Sequence, residues 1–166
     1  MSLLRQAVGP ERLPDAGSGG YRLTGIETDW QRFRQLTSEA DGADPVEACR
    51  LRFDALGLVR GEPFAGVEGY RWALDEHLAT EMTVSVVTLA RRLTEDLANL
   101  GDLPGAERAA RMGLRASRHE QTLSEDLARV VVAGGDATAI SRLWRDLSET
   151  LGSEAVGRMK ATVGVA

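Results

Sequence analysis

Few residues in this chain of 166 are of a type and spacing that could do chemistry. His77 and Glu81 are four positions apart, a spacing that could place two metal ligands on one face of a helix, but no third ligand is evident. An exposed pair on a helix surface is the simpler interpretation. His119 precedes Glu120 at the expected start of a helix, which favours a surface loop. We therefore predict no metal site and no cofactor.

The residues that could act as nucleophiles also favour a protein without catalytic activity. Cys49 is the only cysteine, so the chain forms no internal disulfide, and we find no base nearby in the sequence that would activate its thiol. We predict a buried thiol that behaves as a small apolar group. The glycine-rich segment 17–20 is followed by an extended Tyr-Arg-Leu, so a turn is favoured over a phosphate cradle. Adjacent carboxylates such as Glu125 and Asp126 diverge in direction on a helix. The sequence thus predicts a protein that is not an enzyme.

Composition favours a helical protein with little affinity for nucleic acid. Aromatic residues make up 5% of the chain, while straight-chain residues and alanine, which are good helix formers, are abundant. The fold class is therefore predicted to be all-α. Twenty basic against 25 acidic residues give a net charge of −5, so the chain lacks the overall positive charge that neutralises phosphates. We expect no nucleic-acid contact by this chain alone.

The elements that would position these side chains follow from apolar periodicity. Asp29 is the expected N-cap of a first helix, and Pro45 is expected in the first turn of a second. Residues 70–100 contain no Gly or Pro and predict one long helix, and further helices are expected near 104–116, 120–133 and 137–151. The expected buried stripes are Trp30, Phe33, Leu36 and Ala40 in the first helix and Val46, Cys49, Phe53 and Leu56 in the second, and Trp30, Trp72 and Trp144 are expected in the core.

An internal repeat links the last four of these elements. Gly101-Asp102 recurs as Gly135-Asp136, an offset of 135 − 101 = 34 residues. A helix–turn–helix period of 34 is typical of tetratricopeptide repeats (TPR), so we predict a TPR-like stack of about three hairpins in a right-handed superhelix. An unrelated helical bundle with coincidental spacing is the alternative. Positions with the same offset include Leu89 and Leu123, Leu93 and Leu127, Leu97 and Val131, Ala106 and Ile140, and Gly113 and Leu147.

The chain also resembles a known family. Tyr21-Arg22-Leu23, Asp29-Trp30 with Phe33, Ala55-Leu56 and the segment 59–64 run in the order of the bacterial transcriptional activator domain. In actinobacterial antibiotic regulatory proteins this TPR-like domain follows a winged-helix DNA-binding domain. Residues 59–82 are more similar to large actinobacterial membrane proteins that carry the domain at the C-terminus, often beside a LysM module. The resemblance implies a domain excised from a larger regulator or membrane-anchored protein.

The resemblance also divides the chain. Residues 1–25 are expected to be the end of a winged helix or a linker with a short extended segment. Residues 26–152 are expected to form the TPR-like domain, and 153–166 a C-terminal tail that frays. No segment approaches the ~18 apolar residues that cross a bilayer, and no signal peptide is evident, so we expect a cytoplasmic location, possible also for the cytoplasmic domain of a membrane protein.

Function is expected in a groove. In TPR stacks the first helices of each hairpin line a concave surface, and carrying that pattern over predicts a non-enzymatic protein-interaction or regulatory domain. The expected partner is another protein or a second copy of the chain, as in a homodimer, with membrane contact only through other parts of the full-length protein. Alternatives are an oligomerisation or intramolecular packing domain, and part of a DNA-binding transcriptional activator. We expect charge reversal at Arg91 and Arg129 to weaken binding and to leave helicity intact. The predicted groove residues are Thr88, Arg91, Glu95, Asn99, Thr122, Glu125, Arg129 and Val132.

Overall fold

The computed structural model describes residues 9, 25, 27–66 and 77–164. These residues contain seven α-helices and no strand, which confirms the all-α prediction. The extended segment expected within 1–25, Trp72 and the expected helical residues 70–76 lie outside the described residues. The helices are α1 (Asp29–Asp41), α2 (Pro45–Gly57), α3 (Leu78–Asn99), α4 (Leu103–Gly113), α5 (Gln121–Ala133), α6 (Ala137–Leu151) and α7 (Ser153–Val163).

The first hairpin is formed by α1 and α2, and local caps fix where both begin. Thr28, rather than Asp29, is the N-cap of α1: its hydroxyl accepts from the Gln31 amide at 3.1 Å, and the Gln31 side chain accepts from the Thr28 amide at 2.9 Å. Asp29 instead lies in the first turn, where a carboxylate favours the positive end of the helix dipole. Asp44 caps α2, and Pro45 occupies its first turn as predicted.

The buried face of α2 differs from the predicted stripe. Val46 is 80% exposed, and Cys49 and Phe53 are only partly buried. The reason is that α2 packs against both α1 and α3, and two of the residues that it buries are the small Ala48 and Ala55. Periodicity of large apolar residues does not detect such a face, and it also misses a buried arginine. The residues that α2 buries are Ala48, Leu51, Arg52, Ala55 and Leu56.

The 34-residue offset corresponds to structurally equivalent hairpins. Helix α5 spans 121–133, which is the last part of α3 (87–99) shifted by 34, and α6 begins 34 residues after α4. Both turns contain a glycine at positive φ, +80° at Gly101 and +73° at Gly135, a conformation that glycine adopts without a side-chain penalty. The following residues, Asp102 and Asp136, cap the second helix of each hairpin. At equivalent positions Leu89, Leu93 and Leu97 and Leu123, Leu127 and Val131 are all buried.

Hairpins contact one another in chain order. Helix α2 packs on α3 and α4, α3 packs on α5, and α5 packs on α4, α6 and α7. One continuous core results, in which Trp144 is 7% exposed, whereas Trp30 is half-buried and stacks on Phe33 with ring centroids 5.3 Å apart.

The expectation of a frayed tail after residue 152 is wrong. Residues 153–163 form α7, which packs on α5 and α6. Val156 is 3% exposed and Met159 is fully buried. Gly152, at φ +86°, reverses the chain direction so that this short helix returns to the stack. The apolar surface of the last hairpin is therefore covered by the chain's own C-terminal part.

Candidate partner-binding groove

A groove of about 670 Å³ lies between α3 and α5, the first helices of the two equivalent hairpins. Two of the eight predicted residues do not line it. Glu125 accepts a hydrogen bond from the Gln121 side chain at 2.9 Å, and Val132 packs against the hydrophobic core. The predicted residues that do line the groove are Thr88, Arg91, Glu95, Asn99, Thr122 and Arg129.

The centre of the groove is a carboxylate that the sequence analysis did not select. Asp126 Oδ2 accepts from Arg91 Nε at 2.7 Å, and Asp126 Oδ1 accepts from Arg129 Nη1 at 2.7 Å. The Asp126 side chain is 11% exposed, and a buried carboxylate is tolerated because it is paired and hydrogen-bonded. One sequence signal could have identified it: Asp126 is three residues after Leu123 and four before Val130, so it shares their buried face.

Both guanidiniums remain accessible at the groove surface. The Arg91 and Arg129 side chains are 47% and 54% exposed, although each is fixed at one nitrogen by Asp126. The hydrogen bond and negative charge of Asp126 raise the pKa of Arg91 above its already high value, so its charge is retained at every accessible pH. Two cations share one carboxylate, so these three side chains together carry one positive charge, while Glu95 and Glu120 also act electrostatically on Arg91.

A second groove, of about 540 Å³, lies between α1 and α3, next to the first. Thr88 and Arg92 line both. Arg92 Nη1 donates to Asp41 Oδ1 at 3.0 Å, which links α3 to the end of α1. This second groove is more apolar, because Trp30 and Val84 line it, and Val84 is 58% exposed. The described surface thus has an apolar section followed by a cationic section along α3.

The geometry removes the basis for one expectation. Arg91 and Arg129 were expected to tolerate charge reversal with helicity intact, yet both donate to the buried Asp126. Acidic replacements would place like charges against a carboxylate that is hardly hydrated, which destabilises the contact between α3 and α5. A test of binding therefore needs substitutions that do not place an acidic side chain against Asp126.

The surroundings of His77, His119 and Cys49 favour structural roles for these residues. His77 precedes α3 at φ +59°, outside the helix, and its carbonyl accepts from the Glu81 amide at 2.9 Å, so the two are not a pair on one helix face. His119 is exposed, with Nδ1 3.1 Å from the Thr150 carbonyl oxygen. Cys49 is only partly buried, but burial and the negative charge of Asp96 raise the pKa of its thiol, which favours the unreactive protonated form.

Comparison with known proteins adds no relative: neither a protein-family model nor a curated protein matches this sequence. None of the seven helices is long and apolar enough to cross a membrane, as far as residues 27–66 and 77–164 are concerned.

Proposed function

We propose that this chain is a non-enzymatic protein-interaction domain of the regulatory kind, and that the groove between α3 and α5 binds a segment of its partner. The observation that carries the proposal is the cluster of Arg91, Asp126 and Arg129. Two half-exposed cations held by one buried acid are oriented before any partner arrives, which lowers the entropy lost on binding. Surface arginines without such a support are free to point into solvent.

We further propose that the domain is a TPR-like bacterial transcriptional activator domain that acts in the cytoplasm. The equivalence of the two hairpins at an offset of 34 residues supports the repeat. A contact between two parts of the family-like sequence supports the family: Arg60, in the loop Arg60-Gly61-Glu62-Pro63, donates to the Asp29 carboxylate at the start of α1. The exposed ion pair adds little stability, but Asp29 and Arg60 also line one cavity of about 270 Å³, so the two segments lie together.

The experiment fills the groove without touching the ionic cluster. Thr88 and Thr122 are both exposed, and they line the groove from opposite helices. A Thr88→Trp, Thr122→Trp variant should keep its helicity and lose its partner in affinity capture from an actinobacterial lysate. The matched control is Ser141→Trp, an equally bulky change at an exposed position of α6 that does not line the groove.

The outcomes separate the candidate functions. A protein recovered by wild type and by the Ser141 variant, but not by the groove-filled variant, supports a binding module. Recovery of the same proteins by all three, or of the domain alone, contradicts the proposal and favours self-association or intramolecular packing. Sedimentation velocity at several concentrations distinguishes the last two, because only self-association makes the sedimentation coefficient rise with concentration.

A further inference from the structure

The cationic section of the groove can bind one more carboxylate. Arg91 uses Nε for Asp126 and Arg129 uses Nη1. Within the described residues, neither guanidinium has an ion pair with any other acid. Because a guanidinium carries five N–H donors, both can donate to a second carboxylate on the open side of the groove while Asp126 holds them from below.

A second acid nearby limits what can bind there. Glu95 is exposed and lines the same groove one helical turn beyond Arg91, where it acts electrostatically on Arg91, as Glu120 does. Its charge would repel a run of acidic residues that extended past the two arginines. The charge pattern therefore favours a ligand with a single acidic residue over a polyacidic one.

The apolar section fixes a second feature of the ligand and its distance from the first. Val84 is 58% exposed in the neighbouring groove, which shares the lining residues Thr88 and Arg92 with this one. Val84 and Arg91 are seven residues apart on α3, or about 10 Å along the helix axis at 1.5 Å per residue. An extended peptide covers that distance in about three residues at 3.3 Å each.

We infer that the two neighbouring grooves together bind an extended peptide in which an apolar residue lies about three positions from a single acidic residue. The apolar side chain covers Val84 and Trp30, and the carboxylate accepts hydrogen bonds from Arg91 and Arg129. This assignment rests on the proposed function, since it names the chemistry of the segment that the interaction domain takes.

The test uses a fluorescein-labelled peptide, Gly-Ser-Leu-Ser-Gly-Glu-Ser-Gly, and fluorescence anisotropy with the full chain. Replacing the peptide's Glu by Gln should weaken binding about tenfold or more, because the hydrogen bonds to both guanidiniums lose their charge assistance. Replacing its Leu by Ser, or moving Leu next to Glu, should weaken binding by a similar factor. A peptide with three consecutive Glu residues should bind no better than the original.

A substitution in the protein, combined with the Glu and Gln peptides, gives a double-mutant cycle. Arg129→Met leaves the contact between Arg91 and Asp126 in place. It should therefore lower the affinity for the peptide with Glu about fivefold and leave the affinity for the peptide with Gln unchanged. Arg145→Met is the control, because Arg145 is 67% exposed on α6 and does not line either groove. Equal affinities for the Glu and Gln peptides, or no binding up to about 1 mM peptide, would overturn the inference.

The two proposals fail separately. Suppose that the Thr88→Trp, Thr122→Trp variant loses a cellular partner but the peptide that contains Leu and Glu does not bind to the wild-type chain. The interaction function then stands, and the ligand assignment is wrong. If the peptide binds in the predicted way but the groove-filled variant binds it equally well, the peptide occupies a different surface and the location of the site is wrong.

Discussion

Replacement of Gly113 by alanine should destabilise the protein, although alanine is the better helix former. Gly113 is the last residue of α4 and faces both α3 and α5. A Cβ at this position would lie 2.3 Å from the Ala90 Cβ and 2.8 Å from the Leu123 Cδ2. Carbon atoms in contact are about 3.5–4.0 Å apart, and the Ala90 Cβ is fixed to its backbone, so α4 would have to move away from α3 by more than about 1 Å.

The magnitude follows from two opposing contributions. Overpacking of a core costs about 1–3 kcal/mol, and a clash with a rigid Cβ and with the fully buried Leu123 belongs in the upper half of that range. The gain in helix propensity is at most about 1 kcal/mol, and less at the final helical position. We expect Gly113→Ala to lower the free energy of unfolding by about 2 kcal/mol, and Tm by roughly 4–8 °C.

The control is Gly157→Ala in the middle of α7, where no atom lies within 4 Å of the added Cβ. The propensity gain is then unopposed, and the free energy of unfolding should rise by about 0.5–1 kcal/mol. Urea unfolding followed by circular dichroism measures both variants against wild type. A Gly113→Ala protein as stable as wild type would refute the close approach of α3 and α4, whereas a destabilised Gly157→Ala protein would refute the helical assignment of residues 153–163.

Three further substitutions test individual contacts. Asp96→Ala should lower the free energy of unfolding by about 2–3 kcal/mol, because it leaves the buried Arg52 guanidinium unpaired. Arg52→Met leaves only a carboxylate that is 40% exposed, so it should lower the free energy of unfolding by about 1 kcal/mol or less. Equal losses of stability in urea unfolding would contradict this asymmetry. Met159→Ala should lower the free energy of unfolding by about 2–3 kcal/mol, because it leaves a cavity against the last hairpin. An unchanged stability would mean that α7 does not pack on that hairpin. The raised pKa of Cys49 means less thiolate at pH 8, so DTNB should modify the folded chain more slowly than the urea-unfolded chain, and similar rates would show that the thiol is not shielded.

Features that depend on local chemistry could be predicted from the sequence. The Gly-Asp turns at 101–102 and 135–136 end one helix and cap the next, because a positive φ and a capping carboxylate are properties of single residues. The repeat offset then assigned the two hairpins correctly. Features that depend on tertiary contacts could not be predicted, including the burial of Arg52 and the docking of α7, because both require a partner on another helix.

The same distinction applies to the groove. Carrying a repeat pattern onto α3 and α5 selects positions by helical phase, and six of the eight positions line the groove. The pattern does not say which charged side chain is buried, since that depends on the contact across helices. Asp126 was therefore missed, although it determines where Arg91 and Arg129 point.

Two ionic contacts along α3 show how burial sets the charge that a surface presents. Between α2 and α3 the cation is buried, with Arg52 side-chain exposure of 6%, and its partner Asp96 reaches the surface. Between α3 and α5 the acid is buried, and Arg91 and Arg129 reach the surface. Each pair satisfies its buried member, so the half-exposed member remains to meet a ligand. The surface over α3 and α5 therefore presents two cations and the surface over α2 and α3 presents a carboxylate, although both belong to one acidic chain.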